Sequence, residues 1–142
     1  MRIQQFRRAT AALVCALSLS VAACDKNELP TSPLTVAGTY TATQLTTTTG
    51  GVTTNQLTAG ASVTLVLSPD GTTAGRLFVP SSTTPAVDVP LNGTWTFSNG
   101  DIDLTSSTDT FLRDMLFSVE GNTLVGDQTF GATRIQIVLT KL

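Results

Sequence analysis

The chain has 142 residues, of which 41% are hydrophobic, with eight lysines and arginines, ten aspartates and glutamates, two cysteines and no histidine. Without histidine the commonest general base and metal ligand is missing, and no Ser-His-Asp triad can be assembled. Arg2, Arg7 and Arg8 lie in the first ten residues; from Cys24 onward only Lys26, Arg76, Arg113, Arg134 and Lys141 oppose all ten acids, an acidic balance that excludes the phosphate-neutralising face of a nucleic-acid binder.

Residues 1–23 read as an export signal. Met1 to Thr10 carries the three arginines, and Ala11 to Ala22 is an unbroken run of small and apolar residues with two serines. A basic n-region before an h-region of this length is the pattern of a signal peptide. The run is too short to span a bilayer, which takes about 20 apolar residues. Arg7-Arg8 suggests twin-arginine export, but Ala9-Thr10 lacks a hydrophobic continuation, so ordinary secretion is the reading.

Val21-Ala22-Ala23-Cys24 resembles the lipobox of bacterial lipoproteins: an aliphatic residue, two small residues, and the cysteine that becomes the lipidated first residue. Val21 stands where the family prefers leucine. The resemblance implies that Cys24 carries the acyl chains (palmitate among them) that anchor the protein to a membrane of the bacterial cell envelope, with its domain facing the periplasm or the exterior. The competing reading, cleavage after Val21-Ala22-Ala23 by an ordinary signal peptidase, leaves an exposed thiol. Cys15 leaves with the leader, so the exported domain holds no disulfide, thiolate metal site or cysteine nucleophile. Several acyl chains exceed the two-signal requirement for stable anchoring. Residues 24–36 then form the lipidated cysteine and a tether, polar with Pro30 and Pro33, reaching about 40 Å at about 3.1 Å per residue. Asp25 resembles an inner-membrane retention signal whose meaning varies between lineages, leaving inner and outer membrane open.

Residues 37–142 are expected to form one domain. From Gly38 the chain alternates, is rich in threonine and valine, and is punctuated by turn residues every eight to twelve positions. The first strand is expected over 38–47, with Tyr40, Ala42 and Gln44 on one face and Leu45 on the other. A loop over 46–51 and an irregular crossing over 52–57 follow. Val63, Leu65 and Leu67 point inward from 62–68, Pro69-Asp70-Gly71 turns the chain, and 72–79 returns. Alternation over 87–97 places Trp95 inward, with a break expected at Pro90, which lacks a ladder donor. Asn99-Gly100 is the strongest hairpin signal. Ile102 and Leu104 point inward from 101–106, Met115, Phe117 and Val119 from 111–120, and Ile135, Ile137 and Leu139 from 133–142, after Gly121-Asn122 and a strand over 123–129.

These elements predict an all-β fold of about eight antiparallel strands, either an up-and-down barrel closed by its first and last strands or a two-sheet sandwich; the consecutive short hairpins favour the barrel. Three features resemble the small lipocalin-like barrels of bacterial lipoproteins: Gly38-Thr39-Tyr40, the Leu-x-Leu-x-x-Asp-Gly hairpin at 65–71, and Leu91-Asn92-Gly93-Thr94-Trp95. Tyr40 replaces the tryptophan of lipocalins proper. In that family a basic residue late in the last strand packs over the aromatic ring, which implies Lys141 over Tyr40 as a cation–π pair.

The resemblance implies a barrel that holds a small hydrophobic ligand, with Tyr40, Trp95, Phe117 and Arg113 as candidate contacts and no cofactor. Arg113 shares strand parity with Phe111, Met115 and Phe117; it either sits at the barrel mouth, fit for a carboxylate, or is a rim arginine paired with Asp109 or Asp114. The seven aromatics of the domain leave a filled and an open lumen equally compatible. Asn99, Asp101 and Asp103 lack the spacing of a calcium loop and read as the solvent face of a hairpin. No catalytic or metal site emerges, so the expectation is not an enzyme. The alternative to a carrier is a structural or interaction module docking another envelope protein.

Overall fold

A computed structural model describes residues 32–81, 85–106 and 108–142. A four-residue helix, α1 (Pro33–Val36), precedes ten strands: β1 (Gly38–Thr49), β2 (Val52–Asn55), β3 (Ser62–Leu67), β4 (Thr72–Val79), β5 (Val87–Pro90), β6 (Gly93–Ser98), β7 (Asp101–Ser106), β8 (Phe117–Glu120), β9 (Thr123–Phe130) and β10 (Thr133–Lys141). All belong to one antiparallel sheet, which closes because β1 pairs with β10 from Tyr40↔Lys141 to Thr49↔Thr133. The result is the closed eight-stranded barrel, not a sandwich. Closure satisfies the backbone donors and acceptors that an open sheet would leave along its edges.

Ten strands make eight staves because two staves are each built from two strands. The first half of β1 pairs with β3 and the second half with β2. Likewise the second half of β4 pairs with β5 and its start with β6. The second interruption follows from Pro90, and the amide of Leu91 resumes the ladder by donating to the Gly75 carbonyl at 3.0 Å. The threonine hydroxyl of Thr73 donates to the Leu91 carbonyl at 3.0 Å and ties the two halves together from inside.

The stretch 46–49, expected to loop out, is strand. Its threonines suit a pleated surface and pair across it, with hydroxyl contacts Thr48–Thr53 and Thr49–Thr133 each at 2.8 Å. Only Gly50-Gly51 turns the chain into β2. The expected faces of β1 are also corrected. A register shift between Ala42 and Gln44 inserts a bulge, so Tyr40 and Leu45, of opposite parity, are both buried.

The chain runs up the barrel in β1, β4, β7 and β9 and down in the others. One end carries the tight turns at 68–71, 99–100 and 121–122 together with α1. Val36 is buried there and accepts the Tyr40 hydroxyl at 2.5 Å, so the packed body begins with α1, inside the stretch assigned to the tether. The sole tryptophan, Trp95, braces the turn of β3 and β4: its amide donates to Gly71 and its Nε1 to Ser68, at 2.8 and 2.9 Å. Above this end the interior is solid, with Leu65, Leu67, Ile102, Phe117, Leu124, Ile137 and Leu139 all at most 1% exposed. Each such side chain contributes about 1.5–3 kcal/mol relative to an exposed one.

Candidate functional site

The opposite end stays open because one wall of the barrel is incomplete. Strands β7 and β8 pair only through Asp101↔Ser118 and Ile102↔Phe117. Beyond Ile102, β7 stays paired with β6 to Ser106 but has no rung with β8, and residues 111–114 form turns rather than the strand expected from Phe111 onward. Leu112 and Met115, each 1% exposed, plug into the interior instead. Gly126 of β9 makes room for Met115: a side-chain carbon there would strike the Met115 sulfur and crowd the Phe117 ring.

Above this plug lies a cavity of about 400 Å³. Leu45 of β1, Leu77 and Val79 of β4, Val87 of β5, Ile135 of β10 and Phe111 of the 108–116 segment form its apolar wall. The polar groups at its margin are Thr47, Gln56, Asp109 and Thr110. Gln56 and Thr47 satisfy one another, the Gln56 amide donating to the Thr47 hydroxyl at 2.7 Å, and the Gln56 backbone donates to Leu45 at 2.8 Å. The volume falls within the ~300–1,000 Å³ typical of small-molecule sites, which are likewise mostly apolar with a few placed polar groups.

Thr110 is the exception to this economy of partners. Its side chain is buried and its Oγ1 has no hydrogen-bond partner among the described residues, although its carbonyl accepts the Arg113 amide at 3.1 Å. A buried hydroxyl without a partner costs about 1–3 kcal/mol. Thr110 lines the large cavity on one side and, on the other, a void of about 10 Å³ shared with Leu65, Thr73, Leu104, Leu112 and Arg113.

Arg113 does sit at this end, and its guanidinium is engaged. It contacts Asp109 at 2.7 Å and donates to both oxygens of Asp114 at 2.7 and 3.0 Å. The Asp114 hydrogen bonds, with the carboxylate charges behind them, raise the Arg113 pKa above its ordinary value, and Arg113 in turn holds Asp114 below the usual carboxylate range. The other two arginines of the described residues are also paired, Arg76 with Asp88 at 2.6 Å and Arg134 with Asp127. Asp101 accepts the Ser118 hydroxyl at 3.0 Å, as a hairpin face would.

The remaining sequence-derived candidates lie elsewhere. Tyr40 and Trp95 belong to the α1 end and Phe117 to the solid interior, and none lines the large cavity. Burial pushes the Tyr40 phenol up to about 12. Cys24 lies outside the described residues. The cavity is instead built from the outermost inward residues of β1, β4, β5 and β10, capped by Thr110 and Phe111. Inward parity was the available signal for Val87 and Ile135, whereas the β1 bulge decides Leu45; nothing local marks Thr110, since only the departure of 108–116 from the sheet brings it inside.

No family model, curated protein or solved structure matches the chain.

Proposed function

We propose that this chain is a lipid-anchored lipoprotein of the bacterial cell envelope whose lipocalin-like barrel carries a small hydrophobic molecule in the cavity at its open end. The observation that supports the carrier reading is the cavity itself: about 400 Å³, walled by Leu45, Leu77, Val79, Phe111 and Ile135 above an interior of fully buried side chains. Close packing is the default inside a protein, so retained apolar space asks for an occupant. The Val21-Ala22-Ala23-Cys24 stretch supports the anchor.

Native mass spectrometry of the chain purified from a bacterial host tests the carrier reading. A co-purifying small molecule that dissociates on denaturation is the expected result. A clean unliganded mass, unchanged by added hydrophobic compounds, overturns it in favour of a structural or interaction module.

A further inference from the structure

We propose that the α1 end of the barrel docks on the bilayer that holds Cys24, through Leu34 and Leu142, so that the cavity at the opposite end opens away from that membrane. This rests on the lipid-anchored reading and adds an orientation to it. Cargo then enters and leaves on the side that faces away from the anchoring bilayer.

Three observations carry the orientation. The first is where exposed apolar side chains lie. Leu142 and Leu34, 82% and 72% exposed, are the two most exposed large hydrophobic side chains among the described residues. They share one corner of the fold: the Leu142 amide donates to the Thr39 carbonyl at 2.9 Å, and Lys141 reaches the Thr35 carbonyl next to Leu34. Within α1, Val36 turns inward and Leu34 outward.

The second is how firmly α1 is held. The Tyr40 hydroxyl and the Lys141 ammonium donate to the Val36 and Thr35 carbonyls, and the Ala37 amide donates to Pro33 at 2.9 Å. Leu34 is therefore presented on a fixed turn of helix, and docking it costs little ordering entropy.

The third is the length of chain between the anchor and α1. Residues 25–32 allow at most about 29 Å from Cys24 to Ser32, at ~3.6 Å per residue. Strand β1 alone, 12 residues long, climbs about 30 Å from the α1 end to the open end at the usual barrel tilt. Setting the open end, with exposed Val52, on the bilayer would need the whole stretch drawn out along the wall. The α1 end makes no such demand, and the tether keeps it at high effective concentration near the lipid, where a two-leucine contact is enough. Charge does not favour the contact: exposed Asp70 and Glu120 flank this end and the Lys141 ammonium is engaged, so zwitterionic lipid is the suitable test surface.

The acylated full chain, purified from bacterial membranes and reconstituted into phosphatidylcholine vesicles, tests this. Asn122→Cys carries a fluorophore in the exposed turn whose carbonyl accepts the Lys141 amide, and Val52→Cys carries one at the open end. With Cys24 acylated and Cys15 removed with the leader, the introduced cysteine is the one thiol to label. Phosphatidylcholine spin-labelled at its headgroup is the quencher. The Asn122 label is expected to lose most of its fluorescence and the Val52 label to keep it; adding Leu34→Ser with Leu142→Ser should restore much of the Asn122 signal. Pro69→Cys, exposed in another turn of the same end, serves if the Asn122 variant fails to fold. Equal quenching at both ends, stronger quenching at Val52, or Asn122 quenching untouched by the serine pair overturns the inference, while flotation of the chain with the vesicles keeps the anchored reading intact. A chain that does not float with the vesicles overturns both.

Discussion

Tyr40 and Lys141 are directly paired across the β1–β10 seam that closes the barrel. The ammonium does not lie over the phenol ring as a cation–π pair; among the described residues that contact is Arg76 over Phe78, 5.5 Å from the ring centre. Lys141 instead donates through Nζ to the Thr35 carbonyl at 2.9 Å, while Tyr40 donates to the Val36 carbonyl. Both partners of one rung thus hold successive carbonyls of α1, pinning the helix to the seam. Gly38 permits this, since a side-chain carbon there would strike the Lys141 stem.

That arrangement predicts an alkaline weakness. Burial disfavours the phenolate and pushes the Tyr40 phenol up to about 12 in the folded chain. The folded state therefore holds this proton more tightly than the unfolded state does. The associated stability, about 2–3 kcal/mol, is fully present below pH ~10 and is lost as pH rises through ~12. Urea unfolding across this window should show the loss in the wild type and little of it in Tyr40→Phe. The variant itself should be about 1 kcal/mol less stable at pH ~8, from the lost hydrogen bond. An equal alkaline loss in both chains would rule out Tyr40 as its source.

Gly93 predicts a steric requirement. At the head of β6 its missing side chain would point into the Thr105 carbonyl of β7, a backbone atom that cannot swing aside. Gly93→Ala should cost about 3 kcal/mol or more, by forcing apart a rung of the ladder. Thr96→Ala, at an exposed position of the same strand, should cost under about 1 kcal/mol. Denaturant midpoints of the two variants, followed by the fluorescence of buried Trp95, give the comparison.

The cavity predicts that filling it removes the cargo without unfolding the barrel. Val79 is half-buried at its wall near the mouth. Val79→Trp should keep the circular dichroism spectrum of the native barrel and its cooperative melting, yet purify with no bound small molecule in native mass spectrometry. A variant that still carries the wild-type cargo would place the ligand elsewhere.

The anchor is tested independently of the barrel. Metabolic labelling with palmitate should mark the wild-type chain and not Cys24→Ser, and only the wild type should enter the membrane fraction. Label on the serine variant would remove Cys24 as the attachment point.

How much of this was legible in the chain differs by element. Alternation alone placed Val63, Leu65, Leu67, Ile102, Leu104, Val119, Ile137 and Leu139 inward, because a strand's side chains have a strict period of two. Turn chemistry was equally local: Asn99 and Gly100 both adopt positive φ, at 54° and 89°, as the two-residue hairpin requires. The Pro90 break followed from a missing donor. These features fixed an antiparallel meander and favoured closure over a sandwich.

Tertiary structure decided the rest, wherever a residue's place depends on a partner far along the chain. The bulge that turns both Tyr40 and Leu45 inward is set by registering β1 against β10 and β3 together. The stretch before Phe117 has strand-like parity but makes no rung with β7 or β9; it folds inward as a plug, with Leu112 and Met115 buried and Arg113 on the rim. Thr110 and Phe111 come to cap the cavity only through that departure. The amino-acid sequence by itself determined which residues turn their backs to water; only the closed barrel decided where their packing stops and leaves a space for something else.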